Sequence, residues 1–192
     1  SQPGWLKDDE AYAGGSNRTG AGIVDYVAAN YSVSPRLLLA LLEHQTHALT
    51  QPFPEGDQAT FPLAYHNDRY QGLYRQLIWA AERISNGYYG WRTGALHEID
   101  LADGLVVRPD PWQNAGTVAV QMLFAGMYGQ QAFDQVVGPQ GFQMTMRLLW
   151  GDPFSREQAI IPGNLQQPEI GLPFLPGHVW DYSGGPHERW GP

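Results

Sequence analysis

The segment Val33-Ser34-Pro35-Arg36-Leu37-Leu38-Leu39-Ala40-Leu41-Leu42-Glu43-His44-Gln45-Thr46-His47-Ala48 dictates how its neighbours must pack. Ser34 is suited to cap a helix, and Pro35 to its first turn, where a missing N–H costs nothing. Five leucines and an alanine follow, too apolar all round for a surface helix, so the stretch reads as a central buried helix. Its C-terminal end turns polar, with Glu43, His44, Gln45, Thr46 and His47. A buried helix that delivers carboxylate, amide and imidazole groups to one end often serves a cleft. The plainer reading is that the chain is leaving the core.

On the C-terminal side, residues 50–67 contain three prolines and read as a loop. A long loop after a buried helix is where a cleft wall can sit. Asp68 to Asn86 follows helical spacing through Tyr70, Leu73, Leu77, Ala80, Ala81 and Ile84, with Asn86-Gly87 as its stop. Gln76 lies mid-helix, where a glutamine is usually solvated. Tyr88-Tyr89-Gly90-Trp91-Arg92 is an aromatic cluster beyond that stop. The alternation in Leu96–Leu101 and Leu105–Arg108 about Ala102-Asp103-Gly104 predicts a hairpin. Asn114 caps a helix from Ala115 to about Met127, and short helices are expected over 131–137 and 141–150.

On the N-terminal side, Ile23 to Tyr31 has helical spacing, and residues 1–19 read as a poorly ordered or draped arm. The expected fold is mainly α, a helical domain over 20–150 with one small β-hairpin. Residues 151–192, rich in proline and glycine and without periodicity, read as an extended linker leaving that domain.

Bulk properties narrow the function classes. The 192 residues suit one ordinary domain, and a net charge of −8 argues against a nucleic-acid partner. No run of about 18 apolar residues exists, so no span of a membrane is expected. Zero cysteines exclude disulfides and thiolate metal sites. Seven Trp, ten Tyr, 23 Gly and 15 Pro with few charges suggest an exported, loop-rich protein whose aromatics stack on sugars or fill its core. Nothing calls for a cofactor or a bound metal. No His-Glu-x-x-His pattern occurs, and His44 and His47 have no third ligand.

Three stretches in one order carry a family resemblance: Ala40 to Ala48, Gly72-Leu73-Tyr74-Arg75-Gln76-Leu77-Ile78-Trp79-Ala80-Ala81, and Asn114-Ala115-Gly116-Thr117-Val118-Ala119. They resemble the motifs of lysozyme-like domains of the lytic transglycosylase superfamily, over roughly residues 20–130. The resemblance implies a glycan cleft at the end of the central helix. The family's catalytic glutamate falls on Gln45, followed by Thr46, and the tyrosine of the third motif falls on Gln121. An amide cannot act as a general acid. Glu43 is the nearest carboxylate, but two residues along a helix is about 200° of rotation, which puts it on another face.

A second resemblance lies in the tail. Pro173-Phe174-Leu175-Pro176-Gly177 and Tyr182-Ser183-Gly184-Gly185-Pro186-His187-Glu188-Arg189-Trp190-Gly191 look like the opening of lysostaphin-type zinc endopeptidases, whose Gly-Gly-Pro-His histidine is a metal ligand. Catalytic zinc needs about three protein ligands, and His187 alone cannot make the site. The expectation is an N-terminal module of a secreted cell-wall peptidase of the bacterial envelope, ending before its catalytic domain and inactive by itself.

Three functions follow. The first is a non-catalytic module binding peptidoglycan glycan strands through Gln45, Thr46, Tyr65, Tyr70, Gln76, Tyr88, Tyr89, Trp91, Asn114 and Gln121. The second is an active muramidase or lytic transglycosylase with Glu43 as catalytic acid. The third is a structural scaffold or accessory subunit whose 151–192 tail wraps a protein partner.

Overall fold

In the computed structural model, which describes residues 3–152, 171 and 177–179, six α-helices and two short hairpins form the described body. The helices are α1 (Gly20–Tyr31), α2 (Pro35–Thr46), α3 (Leu73–Arg92), α4 (Ala115–Ala125), α5 (Gln130–Val137) and α6 (Phe142–Trp150). The strands are β1 (Glu10–Ala13), β2 (Ser16–Thr19), β3 (Ile99–Asp100) and β4 (Val106–Val107). The fold is mainly helical, as the sequence predicts. The tail motif with His187 lies outside the described residues.

α2 is the buried rod expected from its leucines. Leu38, Leu41 and Leu42 are inaccessible to solvent, or nearly so. Burying each such side chain contributes roughly 1.5–3 kcal/mol. Pro35 occupies the first turn, but the Ser34 side chain makes no capping bond. The Ser34 carbonyl instead takes the N–H groups of Leu37 and Leu38 at 3.0 and 3.2 Å. α2 packs on α6 and α1, while α3 packs most extensively on α4 and then on α1.

α3 runs past its expected stop. Asn86-Gly87 ends nothing, and the helix continues through Gly90 to Arg92. Gly87 faces α4 closely enough that a Cβ there would lie 2.7 Å from Met122 Cβ and 2.9 Å from Ala119 Cα. The glycine therefore permits a helix crossing. The aromatic cluster Tyr88, Tyr89 and Trp91 belongs to the last turns of α3. At its other end α3 starts at Leu73, and Asp68–Tyr70 forms a separate 3-10 turn capped by Asn67.

The N-terminal residues also depart from expectation. In place of a draped arm, Trp5–Asp8 forms a 3-10 turn, and β1 pairs with β2 through the Gly14-Gly15 turn. Trp5 and Leu6 are buried. The Trp5 N–H reaches the Gln51 carbonyl at 2.8 Å, and the Leu6 N–H reaches that of Ala48 at 3.1 Å. The expected central hairpin is present but short, with Ile99 opposite Val107 and Asp100 opposite Val106. Among the described residues, no helix is long and apolar enough to cross a membrane.

Candidate functional site

The polar end of α2 is closed by its own neighbours. His47 adopts a left-handed backbone, φ 49°, and turns the chain back over the helix. That turn brings the Leu49 N–H to Glu43 Oε2 at 2.8 Å and the Thr50 hydroxyl to Oε1 at 2.6 Å. Glu43 is 9 % exposed. A carboxylate so engaged organises the turn over residues 47–50, and the His47 imidazole lies 3.7 Å from its Oε1. The Thr46 hydroxyl lies within donating distance of the Leu42 and Pro62 carbonyls, at 3.1 and 2.9 Å, and the residue is buried. The Trp5 indole N–H donates to the Thr46 carbonyl at 3.3 Å, so the N-terminal segment seals the same end.

Gln45, on the position of the lysozyme-like acid, is half-buried. Its Oε1 accepts from the Tyr128 hydroxyl at 2.8 Å, and its Nε2 is buried without a partner among the described residues. Burial pushes the Tyr128 phenol above its ordinary range, against a smaller opposing effect of the Gln45 bond. Beside α2, His44 packs edge-on against Phe124 and Phe142 and meets the Thr145 hydroxyl at 2.9 Å. Burial, helped by nearby His47, holds the His44 imidazole below its usual range.

Gln76 reverses the expectation of a solvated mid-helix amide: it is 0 % exposed. Its Oε1 accepts from the Leu63 N–H at 3.2 Å, and its Nε2 donates to the Tyr65 and Tyr70 carbonyls, each at 2.8 Å. All its main capacity is used to pin the 60–72 loop. Asn114 is a helix cap, as expected, accepting the Thr117 N–H at 2.9 Å. Gln121 is half-buried, and its Oε1 has no partner among the described residues.

The aromatics divide into two groups. Tyr65 stacks flat on Trp79, with centroids 3.7 Å apart, and Tyr70 leans on both. Tyr65 and Trp79 wall a cavity of about 280 Å³, together with Arg83, Asp100, Ala102 and Gly126. Tyr88 and Tyr89 meet edge-to-face at 5.3 Å in the last turns of α3, where Tyr89 is 61 % exposed. Trp91, one turn on, lines a separate open depression of about 850 Å³ with Leu96, His97, Arg108, Pro109 and Asp110. Its indole N–H donates to the Gln113 carbonyl at 3.0 Å, which fixes the ring plane. Arg108 crosses to Glu98 at 3.2 Å on the rim.

A concavity of about 200 Å³ lies just beyond the end of α2, among Leu6, Leu39, Ala48, Leu49 and Trp150, and two more touch α3. Tyr65 and Trp91, both expected from sequence, line one each. His97, Arg108, Asp110, Trp79 and Arg83 were not singled out from sequence. Arg83 was detectable, since it lies three residues after Ala80 and four before Gly87 on the inward stripe of α3, where a charge is out of place. The depression's residues come from the loop before β3 and the segment after β4, whose approach to Trp91 has no local signature. Among the described residues, no three His, Asp or Glu side chains converge as a metal ion would require.

No curated protein and no solved structure matches the chain. A family model does, over residues 1–163, described as the N-terminal domain of LasA. That span covers the 3-10 turn, both hairpins and all six helices. The chain therefore belongs to the LasA N-terminal domain family, a group of peptidase-associated domains.

Proposed function

We propose that this chain is the non-catalytic N-terminal module of a secreted peptidoglycan endopeptidase, and that it holds glycan strands in the depression beside Trp91. The family membership supplies the association with a peptidase. The resemblance of the tail to lysostaphin-type enzymes supplies the cell-wall substrate class.

The observation that carries the glycan reading is the lining of the depression. An indole fixed by its own hydrogen bond gives a flat apolar face, on which a sugar ring stacks with little loss of side-chain freedom. His97, Arg108 and Asp110 surround it with donors and acceptors for hydroxyl groups. Tyr88, three residues before Trp91, lies on the same side of α3. Lack of catalysis is supported by the end of α2, where an amide stands for the acid and Glu43 is held by Leu49 and Thr50. The muramidase alternative needs Glu43 free to donate a proton into a groove, and these bonds disfavour it.

Retention on insoluble peptidoglycan tests the proposal. The chain should sediment with cell-wall sacculi, and Trp91→Ala and Arg108→Ala should each weaken retention several-fold while melting near the parent temperature. Equal retention of parent and both variants, or none by the parent, refutes it.

A further inference from the structure

The second concavity has its own chemistry. The cavity of about 280 Å³ lies where α3, the end of α4 and the strand β3 meet, and holds one cation and one anion in its lining. The cation is Arg83. Its Nη2 donates to the Met122 carbonyl at 2.8 Å, and its Nε is buried with no partner. Nε is shut off from solvent, whereas Nη1 is reachable and has no partner among the described residues. Its charged N–H donors match a carboxylate. Gly126 packs closely on the guanidinium, since a Cβ there would lie 3.1 Å from Nη2 and 3.2 Å from Nε.

The anion is Asp100, exposed at the cavity, whose carboxylate has no hydrogen-bond or ion-pair partner among the described residues. It forms no ion pair with Arg83, so the two charges stand apart within one small cavity. The stacked Tyr65–Trp79 pair provides an apolar wall.

From this juxtaposition we propose that the cavity binds an amino-acid head group, its carboxylate on Arg83 and its ammonium on Asp100, with the side chain against Tyr65 and Trp79. Free amino acids and the zwitterionic ends of branched peptides share this chemistry. The proposal is independent of the glycan reading, which concerns the separate concavity at Trp91.

The test is an NMR titration of the full 192-residue chain, following the arginine Nε–H resonances. The probes are alanine of either hand, acetate and methylammonium. Alanine should shift the Arg83 signal saturably, with half-saturation at about 1–10 mM, and acetate should bind at least about fivefold more weakly. Methylammonium should leave the signal unmoved. Asp100→Asn should reduce alanine binding to the acetate level. Gly126→Leu, at a backbone φ of −71° that any residue adopts, should abolish the shift by filling the space and crowding the guanidinium. Melting temperature checks the fold of each variant. No saturable shift up to about 100 mM alanine, equal response to alanine and acetate, or an unaffected Gly126→Leu variant would each overturn the proposal.

Discussion

Gln76 shows what single residues do in this fold. Three backbone groups of the 63–70 segment depend on one amide. Gln76→Leu should cost about 2–4 kcal/mol in urea unfolding, because a buried N–H and two carbonyls lose their partner. A loss under 0.5 kcal/mol would mean that the loop is held by other contacts. Glu43→Gln removes a charge-assisted bond to the Leu49 N–H and should cost about 1–2 kcal/mol. It should change no cell-wall lysis in zymography, and clearing by the parent that this change abolishes would restore a catalytic Glu43. His44 makes the stability depend on pH. Its folded pKa is depressed by burial, so the unfolded chain, titrating near 6.5, binds a proton that the folded chain refuses. Stability should therefore fall as pH drops below about 6.5 and level off below the folded value. His44→Gln should flatten that decline in denaturation midpoints measured across pH 8 to 5. At this scale the sequence was an uneven guide. The Asn114 cap was legible because it acts on N–H groups three residues away. Gln76 was not, because its partners lie 6 to 13 residues back, in a loop with no periodicity.

At the scale of elements, helical spacing located every α-helix among the described residues, yet it misplaced both ends of α3. Asn86-Gly87 has the composition of a stop, and only the approach of α4 reveals why a glycine is there. Gly87→Val should destabilise by about 1–3 kcal/mol, since the added methyl groups meet Met122 and the backbone of Ala119, even though a helical glycine is removed. Thermal unfolding checks this, and a stabilised variant would show that α3 and α4 separate freely. The N-terminal hairpin has a legible signal at its turn. Gly14-Gly15 is a two-residue turn pair with both φ values positive, the strongest short signal for a hairpin. What masked it was the polar composition around the turn. The burial of Trp5 and Leu6 depends on Ala48 and Gln51, more than forty residues away, and no local pattern carries that.

For the whole molecule, the arrangement turns on what became of the end of α2. The sequence places an amide where a lysozyme-like acid would stand, and the structure closes that end from three directions: the N-terminal segment, the 60–66 loop and Tyr128. Two concavities lie against α3, and a third lies beside Ala48 and Leu49. The lysozyme-like comparison rests on sequence motifs, whereas membership of the LasA N-terminal family rests on a match over residues 1–163. The two concavities against α3 were out of reach of sequence reasoning because each is assembled from segments that meet only in the folded chain. Their chemistry differs: one is an aromatic platform with a polar rim, the other a paired-charge cavity. The central claim is that glycan strands lie on Trp91. The most direct measurement is a titration of the isotopically labelled chain with peptide-free glycan oligosaccharides, following the tryptophan indole N–H resonances. The account predicts that the Trp91 signal shifts saturably and that Arg108→Ala weakens the response several-fold. An unmoved Trp91 signal at saturating oligosaccharide, or a response confined to Trp79, would contradict it.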